Sequence, residues 1–564
     1  MVACSISVRS FRLIFWTTVL CLFAARGWAG PQIANNMTAP IPAGGYRIAG
    51  TVVSKADNGP LARARVTIRD AKDSQKFQFV ITSEDGKYEF SGLPAGKYSL
   101  SGAKRGFISG SYDQHDQFST AIVTGASLDT EALPLRLAPD AVIAGKVLDE
   151  VGDPVRHATV TLYYDDHSSG VHQIRQFRSA QTDDLGEYEL TPLKPGTYFL
   201  SASGKPWYAM HPPSEPGHSE SDGQAQAARA VDRSLDVAYP VTYYPDVTDP
   251  DSAFPIPIRG GERVEADFHL NPVPSLRLLF RMPEAGNHGF FPPQLQQPAF
   301  DGYTSVQTTM IRSLSPGLME ITGIPAGRYN VRLFGPGQGV QMNGVDLTKD
   351  GEQVDISKSD ALSSVKVSLQ IPDEAVIPRY LTVGLRSGSR EMVASRAVDA
   401  KGAVELQRVP TGRYEVVVWS PGKTYSIAHL AADGAEVSGH TLMVAPGSSP
   451  AVSLTVASGS MDIQGIVTRA GKGFAGAMVV LVPNNPEIDR DLFLRDQSDL
   501  DGTFLLRGVV PGAYTLLAIE NGWDLDWAQP GVIAAYLKHG RRITVGKQDG
   551  RLTNLADPVE VQSK

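Results

Sequence analysis

The chain has 564 residues, 42% of them hydrophobic, and a formal net charge of −8 at pH 7. This acidic balance argues against a nucleic-acid-binding protein, and the 55 glycines and 39 prolines favour a turn-rich β protein over a helical enzyme. Both cysteines, Cys4 and Cys21, lie close to the N-terminus. The rest of the chain can therefore hold no disulfide, thiolate nucleophile or cysteine metal site.

The N-terminus has the pattern of a secretory leader. Arg9 and Arg12 precede an apolar run at residues 13–25, and small residues follow at Gly27 and Ala29. The run of about 13 residues is shorter than the roughly 20 that a spanning helix needs, so cleavage after Ala29 is favoured over a membrane anchor. We expect a signal peptide at 1–29, a linker at 30–45, and a secreted, periplasmic or cell-envelope product with no transmembrane span in the mature chain.

A short unit occurs five times along the rest of the chain. Each copy has two glycines ten residues apart and a tyrosine two residues after the second glycine. These residues are Gly86, Gly96 and Tyr98; Gly186, Gly196 and Tyr198; Gly317, Gly327 and Tyr329; Gly402, Gly412 and Tyr414; and Gly502, Gly512 and Tyr514. Apolar and polar residues alternate on both sides of the intervening turn, which predicts two strands that each bury one face. We expect positive φ at the glycines and a core tyrosine whose hydroxyl bonds to the backbone.

Three copies share a further pattern upstream, in which a strand, a tight turn and a second strand follow one another. It occupies residues 50–68, 145–162 and 465–481. The third and fourth copies lack this pattern, and their first halves are interpreted as strands only from the apolar runs at 275–280 and 380–385. The repeated unit is thus predicted to be a small all-β module, regular in copies one, two and five and degenerate in copies three and four.

The combined pattern resembles the carboxypeptidase regulatory-like domain. That family is similar to transthyretin-like and Cna-B-like sandwiches and is grouped with carbohydrate-binding-like folds. The resemblance implies an all-β fold, a tandem array of immunoglobulin/transthyretin-like β-sandwich domains. It implies no catalytic residue, because in the parent enzymes the domain accompanies a separate peptidase domain.

Five units account for the length of the chain. They are unit one at 46–138, unit two at 139–272 with a long insertion at 205–235, degenerate unit three at 273–371, degenerate unit four at 372–457, and unit five at 458–564. The short linkers between them predict a string of separate modules forming a rod. Two short helices are expected, one at residues 531–539 and one at 224–237.

No catalytic, cofactor-binding or metal site is predicted from motifs. The sequence contains no H-x-x-E or H-E-x-x-H zinc motif, no G-x-S-x-G elbow and no Walker-type loop. His167 and His172 follow Asp165 and Asp166, but residues five apart in a strand point to opposite faces, so shared coordination would require a loop. We therefore predict that these histidines bind no metal.

Aromatic side chains are the remaining binding candidates. Exposed rings can stack on the apolar faces of sugars, whereas buried rings would close the ends of the sandwiches. The candidate glycan-binding residues are Trp207, Tyr243, Tyr244, Trp523 and Trp527.

The favoured function is a secreted, non-catalytic protein of tandem carboxypeptidase regulatory-like domains that mediates interaction at the cell envelope. One alternative is polysaccharide binding through the exposed aromatic rings. Another is an accessory module that acts with a peptidase or an outer-membrane receptor. The expected partner is thus a polysaccharide or an envelope protein, with no nucleic acid and no cofactor.

Overall fold

The structure is a computed structural model. It describes residues 44–125, 128–211, 232–281, 294–306, 310–315, 318–334, 339–355, 362–372, 374, 376–387, 392–459, 461–546 and 552–564. The predicted signal peptide and most of the predicted linker, insertion and second helix lie outside these ranges. Within them, no helix is both long enough and apolar enough to cross a membrane.

The first two units consist of strands joined by turns. Unit one contains β1 (Tyr46–Ser54), β2 (Arg65–Asp70), β3 (Phe77–Ile81), β4 (Lys87–Leu93), β5 (Gly96–Ala103), β6 (Gly110–Ser111), β7 (Ile122–Thr124) and β8 (Leu133–Leu137). Unit two contains β9 (Ala141–Leu148), β10 (Thr159–Asp166), β11 (Gln173–Gln181), β12 (Glu187–Leu193), β13 (Gly196–Ser203), β14 (Val237–Ala238), β15 (Thr242–Tyr243), β16 (Ile256–Ile258), β17 (Arg263–Glu265) and β18 (Phe268–His269). Two 3₁₀ turns also lie in unit two, at Arg233–Leu235 and Pro250–Ser252.

The last three units have the same character. Unit three contains β19 (Val273–Pro274), β20 (Leu276–Arg281), β21 (Gln294–Ala299), β22 (Gly302–Ser305), β23 (Met310–Ser315), β24 (Leu318–Ile324), β25 (Gly327–Phe334), β26 (Gly339–Leu347) and β27 (Glu352–Asp355). Unit four contains β28 (Ser363–Gln370), β29 (Thr382–Arg386), β30 (Met392–Ala397), β31 (Ala403–Val409), β32 (Gly412–Trp419), β33 (Tyr425–Asp433), β34 (Glu436–Ser438), β35 (Thr441–Val444) and β36 (Ala451–Ser458). Unit five contains β37 (Met461–Arg469), β38 (Lys472–Gly473), β39 (Met478–Pro483), β40 (Leu494–Gln497), β41 (Thr503–Val509), β42 (Gly512–Glu520), β43 (Arg541–Val545), β44 (Leu552–Asn554), β45 (Val559–Glu560) and β46 (Gln562–Ser563), with 3₁₀ turns at Arg490–Leu492 and Gly522–Asp524 and helix α1 at Pro530–Leu537.

All five units pair their strands in the same way. In the first sheet, the opening strand (β1, β9, β20, β28 or β37) lies between an antiparallel neighbour (β4, β12, β24, β31 or β41) and a parallel late strand (β8, β17, β27, β36 or β44). In the second sheet, β2, β10, β21, β29 and β39 each lie between two antiparallel neighbours. Buried residues alternate along the strands and form a core in each unit. The all-β tandem fold is therefore confirmed, and units three and four keep the topology despite their degenerate sequences.

The strand pairing corrects one predicted boundary. Strand β28 lies before residue 371, in the segment predicted to end unit three, but it pairs with β31 and β36 of unit four. Its alternating residues Val365, Val367 and Leu369 are buried in the core of unit four. The first strand of that unit was missed because the apolar run at 380–385 was taken for it. That run instead supplies β29, the counterpart of β2.

The repeated tyrosine has the predicted role in every unit. The five rings lie in the cores, and Tyr98 is only 1% exposed. Each hydroxyl donates a hydrogen bond to the backbone carbonyl oxygen four residues earlier. The oxygen-to-oxygen distances are 3.0 Å for Tyr98, 2.8 Å for Tyr198, 2.6 Å for Tyr329, 2.9 Å for Tyr414 and 2.7 Å for Tyr514. The tyrosine thus fills the core and also closes the loop between the two strands of the repeat.

Glycine is required at the two positions of the repeat for different physical reasons. The first has positive φ in the four copies where the structure describes it, 83° at Gly402 for example, and a Cβ there would lie 2.1 Å from the carbonyl oxygen of Leu369. The second was also predicted to have positive φ, and this is wrong for Gly96, Gly196, Gly327 and Gly512; at Gly412 φ is 159°, which is close to extended backbone. At Gly512 a Cβ would instead meet the ring of Tyr514 at 3.3 Å. The second glycine is therefore required by the tyrosine that lies over it.

The substitution Gly402→Ala is expected to destabilise unit four by at least about 1–3 kcal/mol, the usual cost of a strained left-handed residue, because the new methyl group also clashes with the Leu369 carbonyl oxygen. Gly422→Ala is the matched control: its φ is 74°, but a Cβ there meets nothing within 4 Å. Urea unfolding of both variants measures the difference. Equal losses of stability would show that the close approach to Leu369 costs nothing.

The prediction of a rod of separate modules is wrong. Units that are distant in sequence contact one another within the compact segment Pro40–Lys564. Unit five bonds to unit one, where the backbone N–H of Leu500 donates to the carbonyl oxygen of Ala121, and to unit two, where Ala528 donates to Gly170. The linker lengths did not reveal these contacts, because they depend on surface residues far apart in the chain.

Candidate functional site

The outer side of the second sheet of unit five is covered by the segment that follows β42. This segment contains α1, the one α-helix among the described residues. All six residues of β39 are buried, because one face lies in the sandwich core and the other contacts the segment that follows β42. That segment carries Trp523 and Trp527, and its helix α1 buries Ile533. Val171 of unit two packs against the same cluster. This face of unit five is therefore an inter-unit surface.

Arg495 on β40 is the centre of this surface. Its side chain is only 4% exposed. The guanidinium carbon lies 4.3 Å from the ring centre of Trp527 and 5.3 Å from that of Phe118. The guanidinium also bonds to the Asp116 carboxylate at 3.2 Å and to the carbonyl oxygen of Ser168 at 2.9 Å. One side chain thus connects units one, two and five. Burial lowers its pKa, but an arginine in such a site stays charged.

A second set of contacts joins units one and five beside Arg495. The rings of His115 and Trp523 are stacked, with centres 4.8 Å apart and planes 5° from parallel. The Gln497 amide donates to the hydroxyl of Thr120 at 2.8 Å and to the carbonyl oxygen of Asp113 at 2.6 Å. Because both the apolar and the polar groups find partners, this contact fixes the relative orientation of the two units.

Carboxylates complete the junction, by which we mean the contacts around Arg495 that join unit five to units one and two. Lys97 of unit one lies 2.5 Å from the carboxylate of Asp499, which also accepts the backbone N–H of Ala121 at 3.0 Å. Burial raises the pKa of Asp499, and the Lys97 ammonium opposes that rise. The sequence Asp-Leu-Asp-Gly at residues 499–502 gives no sign that Asp499 faces another unit.

Asp496 is expected to make the stability of unit five depend on pH. Burial raises its pKa to about 6, although the backbone N–H of Leu505 donates to the carboxylate. This value lies above the roughly 3.9 of an unfolded aspartate, so the folded state favours the protonated Asp496 carboxyl. The stability that this protonated carboxyl contributes is complete below about pH 4 and is lost as the pH rises through about 6. Asp496→Asn should therefore match the wild type at pH 4 and exceed it by roughly 2 kcal/mol at pH 7. Urea unfolding at the two pH values checks this. An equal difference at both would contradict it.

Next to the junction is a cleft of about 640 Å³ between units two, three and five. It is lined by Val171, His172, Gln173, Pro298, Phe300, Asp301, Gly302, Tyr303, Arg490, Ala528, Gln529, Pro530 and Gly531. The wall from unit three is held to unit two, since the Asp301 carboxylate accepts the backbone N–H of Ile174 at 2.7 Å. Charged, amide and aromatic groups from three units therefore face one space.

The two histidines beside this cleft lie together. β10 ends at Asp166 and β11 begins at Gln173, so His167 and His172 belong to the loop between these strands. Both Nε2 atoms lie close to Oδ1 of Asp165, at 3.2 Å for His167 and 2.8 Å for His172. The loop that shared coordination would require is therefore present, and strand alternation does not separate the two rings.

The five predicted glycan-binding aromatics differ in how far their rings are exposed to solvent. Trp207 is 83% exposed, whereas Tyr243 is 0% exposed and Trp527 is 8% exposed. Tyr243 packs edge-on against Phe300 of unit three, with ring centres 5.5 Å apart, and Tyr244 packs edge-on against Phe268. Tyr243 and Trp527 thus lack the open ring face that sugar stacking requires, because contacts between units cover them. Trp207 retains an open ring face.

The first two units are similar to a known domain family. The carboxypeptidase regulatory-like domain matches residues 47–124 and 142–209. These segments contain the first strand, the turn glycine and the core tyrosine of units one and two. No curated protein matches the sequence significantly.

Several solved structures share a limited likeness. The Bacillus anthracis TIE protein is 9% identical, with 73% of this chain and 74% of that chain covered and a TM-score of 0.18. A minor pilin of Streptococcus agalactiae is 13% identical, with 40% and 97% covered and a TM-score of 0.20. Two B repeat units of the Staphylococcus aureus collagen-binding protein are 11% identical, with 73% and 99% covered and a TM-score of 0.12.

Scores this low carry no argument about the overall fold, so the likeness to the family rests on the sequence match alone. The matched segments contain the residues from which the family resemblance is evident in the sequence. Units one and two of this chain are thus similar to carboxypeptidase regulatory-like domains over residues 47–124 and 142–209.

Proposed function

We propose that this protein is exported and acts as a non-catalytic interaction protein, with the cleft between units two, three and five as its binding surface. The observation that carries this proposal is the composite cleft, to which each of the three units contributes side chains. Such a surface exists only if the units keep a fixed orientation. The contacts of Arg495 and Asp301 supply that restraint.

The chemistry of the cleft favours a protein partner at the cell envelope. Arg490 on the unit-five rim is exposed and offers a planar, charged donor, while Tyr303 of unit three presents an exposed ring. Arginine and tyrosine are enriched at the energetic centres of protein interfaces. Because the cleft is pre-formed, binding there would require little reordering of the protein.

Binding to isolated cell envelopes tests this function. We expect the protein to sediment with envelopes, and we expect protease treatment of the envelopes beforehand to abolish this. Arg490→Glu should weaken the association at least tenfold, because it reverses the charge at the rim. Arg542→Glu is the matched control, since Arg542 is an exposed arginine of the same unit on β43, away from the cleft residues. Failure of the wild-type protein to bind any envelope fraction would refute the proposal.

Polysaccharide binding is the second candidate, and exposed Trp207 favours it. In that case sedimentation should survive protease treatment, be competed by free polysaccharide, and be lost in Trp207→Ala but not in Arg490→Glu. Export is tested separately by sequencing the N-terminus of protein recovered outside the cytoplasm, which should begin at Gly30.

A further inference from the structure

Three potential metal ligands converge at the β10–β11 hairpin of unit two, Asp165 from the end of β10 and two histidines from the loop that follows. Asp165 Oδ1 and the Nε2 atoms of His167 and His172 belong to a group whose ligand atoms all lie within 4.8 Å of one another. The two imidazole ring centres are 5.2 Å apart, with planes inclined by 41°. All three side chains lie within an eight-residue stretch, so one β-hairpin supplies the complete set.

The carboxylate oxygen Oδ1 of Asp165 has no well-aligned hydrogen-bond donor among the described residues. This atom is also buried. Yet the nearest imidazole nitrogens lie only 2.8 and 3.2 Å away. Ligands around a tetrahedral zinc ion are separated by about 3.3 Å, given metal–ligand distances of about 2.0 Å. The short separations without hydrogen-bond alignment therefore suit a shared cation.

The other ring nitrogen of His167 has a separate carboxylate partner. Nδ1 lies 3.1 Å from Oδ1 of Asp526, which belongs to unit five. The second oxygen of Asp526 accepts the side-chain amide of Gln529 at 3.0 Å, so the carboxylate is itself held in place. A carboxylate on the far nitrogen orients a ligating histidine and selects the tautomer whose Nε2 binds the metal.

We propose that Asp165, His167 and His172 bind a divalent transition-metal ion, zinc being the probe of choice, with Asp526 positioning His167. Two imidazoles and one carboxylate suit zinc and related ions, whereas calcium and magnesium prefer oxygen ligands. His172 also lines the three-unit cleft. With three protein ligands, water or an oxygen or nitrogen atom of a partner in the cleft would complete the coordination sphere.

The metal site has a structural consequence that does not depend on any partner in the cleft. Its three ligands come from unit two and its positioning carboxylate from unit five. A bound ion therefore strengthens the contact between these two units, because it fixes His167 in the orientation that reaches Asp526. The site can be tested on the isolated protein, so its failure and the failure of envelope binding are distinguishable.

Isothermal titration of zinc into the full chain, prepared without a polyhistidine tag, is the direct test. We expect one ion per chain, with an affinity at least 100-fold weaker in His172→Ala and unchanged in His429→Ala, whose histidine lies on β33 of unit four. Asp526→Asn should weaken binding by about 10–100-fold, the usual effect of removing such a second carboxylate.

Two further measurements distinguish loss of the metal site from loss of the fold. The visible spectrum of the cobalt-loaded chain should show tetrahedral bands that His172→Ala abolishes. Zinc should raise the unfolding temperature of the wild type but not that of His172→Ala, while circular dichroism confirms that the variant is folded. No zinc uptake by the wild type, or uptake that is equally tight in His172→Ala, would overturn the proposal.

Discussion

The substitution Arg495→Ala is expected to lower the free energy of unfolding by about 3 kcal/mol or more. Removing one partner of a buried ion pair typically costs about 3–5 kcal/mol; the Arg495 side chain is buried but that of Asp116 is 31% exposed, which places this pair at the low end. A desolvated cation over an aromatic ring contributes up to about 2 kcal/mol. Arg495 has both kinds of contact, with Asp116 and with the rings of Phe118, Trp523 and Trp527. The loss should appear as a separation of unit five from units one and two before the sandwiches themselves unfold.

Urea unfolding followed by tryptophan fluorescence measures this effect, because Trp523 and Trp527 lie at the junction. Arg495→Lys should have an intermediate stability, since lysine keeps the charge but loses the planar group that stacks on the rings. Arg507→Ala is the matched control: Arg507 is exposed on β41 of the same unit, and such surface changes usually stay within about 0.5 kcal/mol. If Arg495→Ala behaves like this control, the junction does not hold the units together.

Tyr98→Ala is expected to destabilise unit one by about 3–5 kcal/mol, the range for deletion of a large aromatic side chain from a core. The ring is 1% exposed, packs in the core of unit one and bonds through its hydroxyl to Pro94. Tyr98→Phe isolates the hydrogen bond and should cost only about 1 kcal/mol. Thermal unfolding of both variants and hydrogen exchange of β4 and β5 distinguish these effects. A wild-type unfolding profile for Tyr98→Ala would mean that the ring is not part of the core.

Local sequence determined the modules of this protein. The alternation of apolar and polar residues and the Gly-x-Tyr ending specified a sandwich in each copy, and Tyr98, Tyr198, Tyr329, Tyr414 and Tyr514 occupy the predicted places. These features could be inferred because they depend on neighbours within the same unit. The second glycine of the repeat was placed correctly but explained wrongly, since its reason is the tyrosine ring above it.

Only the tertiary structure decided how the modules are joined. The partners of Arg495, Asp116 and Ser168, lie more than 300 residues away in the chain, and no local pattern marks an arginine that will stack on rings from another unit. The same applies to the pairing of His167 with Asp526 and of Tyr243 with Phe300. A strand's period indicates which face is buried, but which other unit covers an exposed face depends on the complementarity of two finished surfaces. That complementarity exists only once both units have folded.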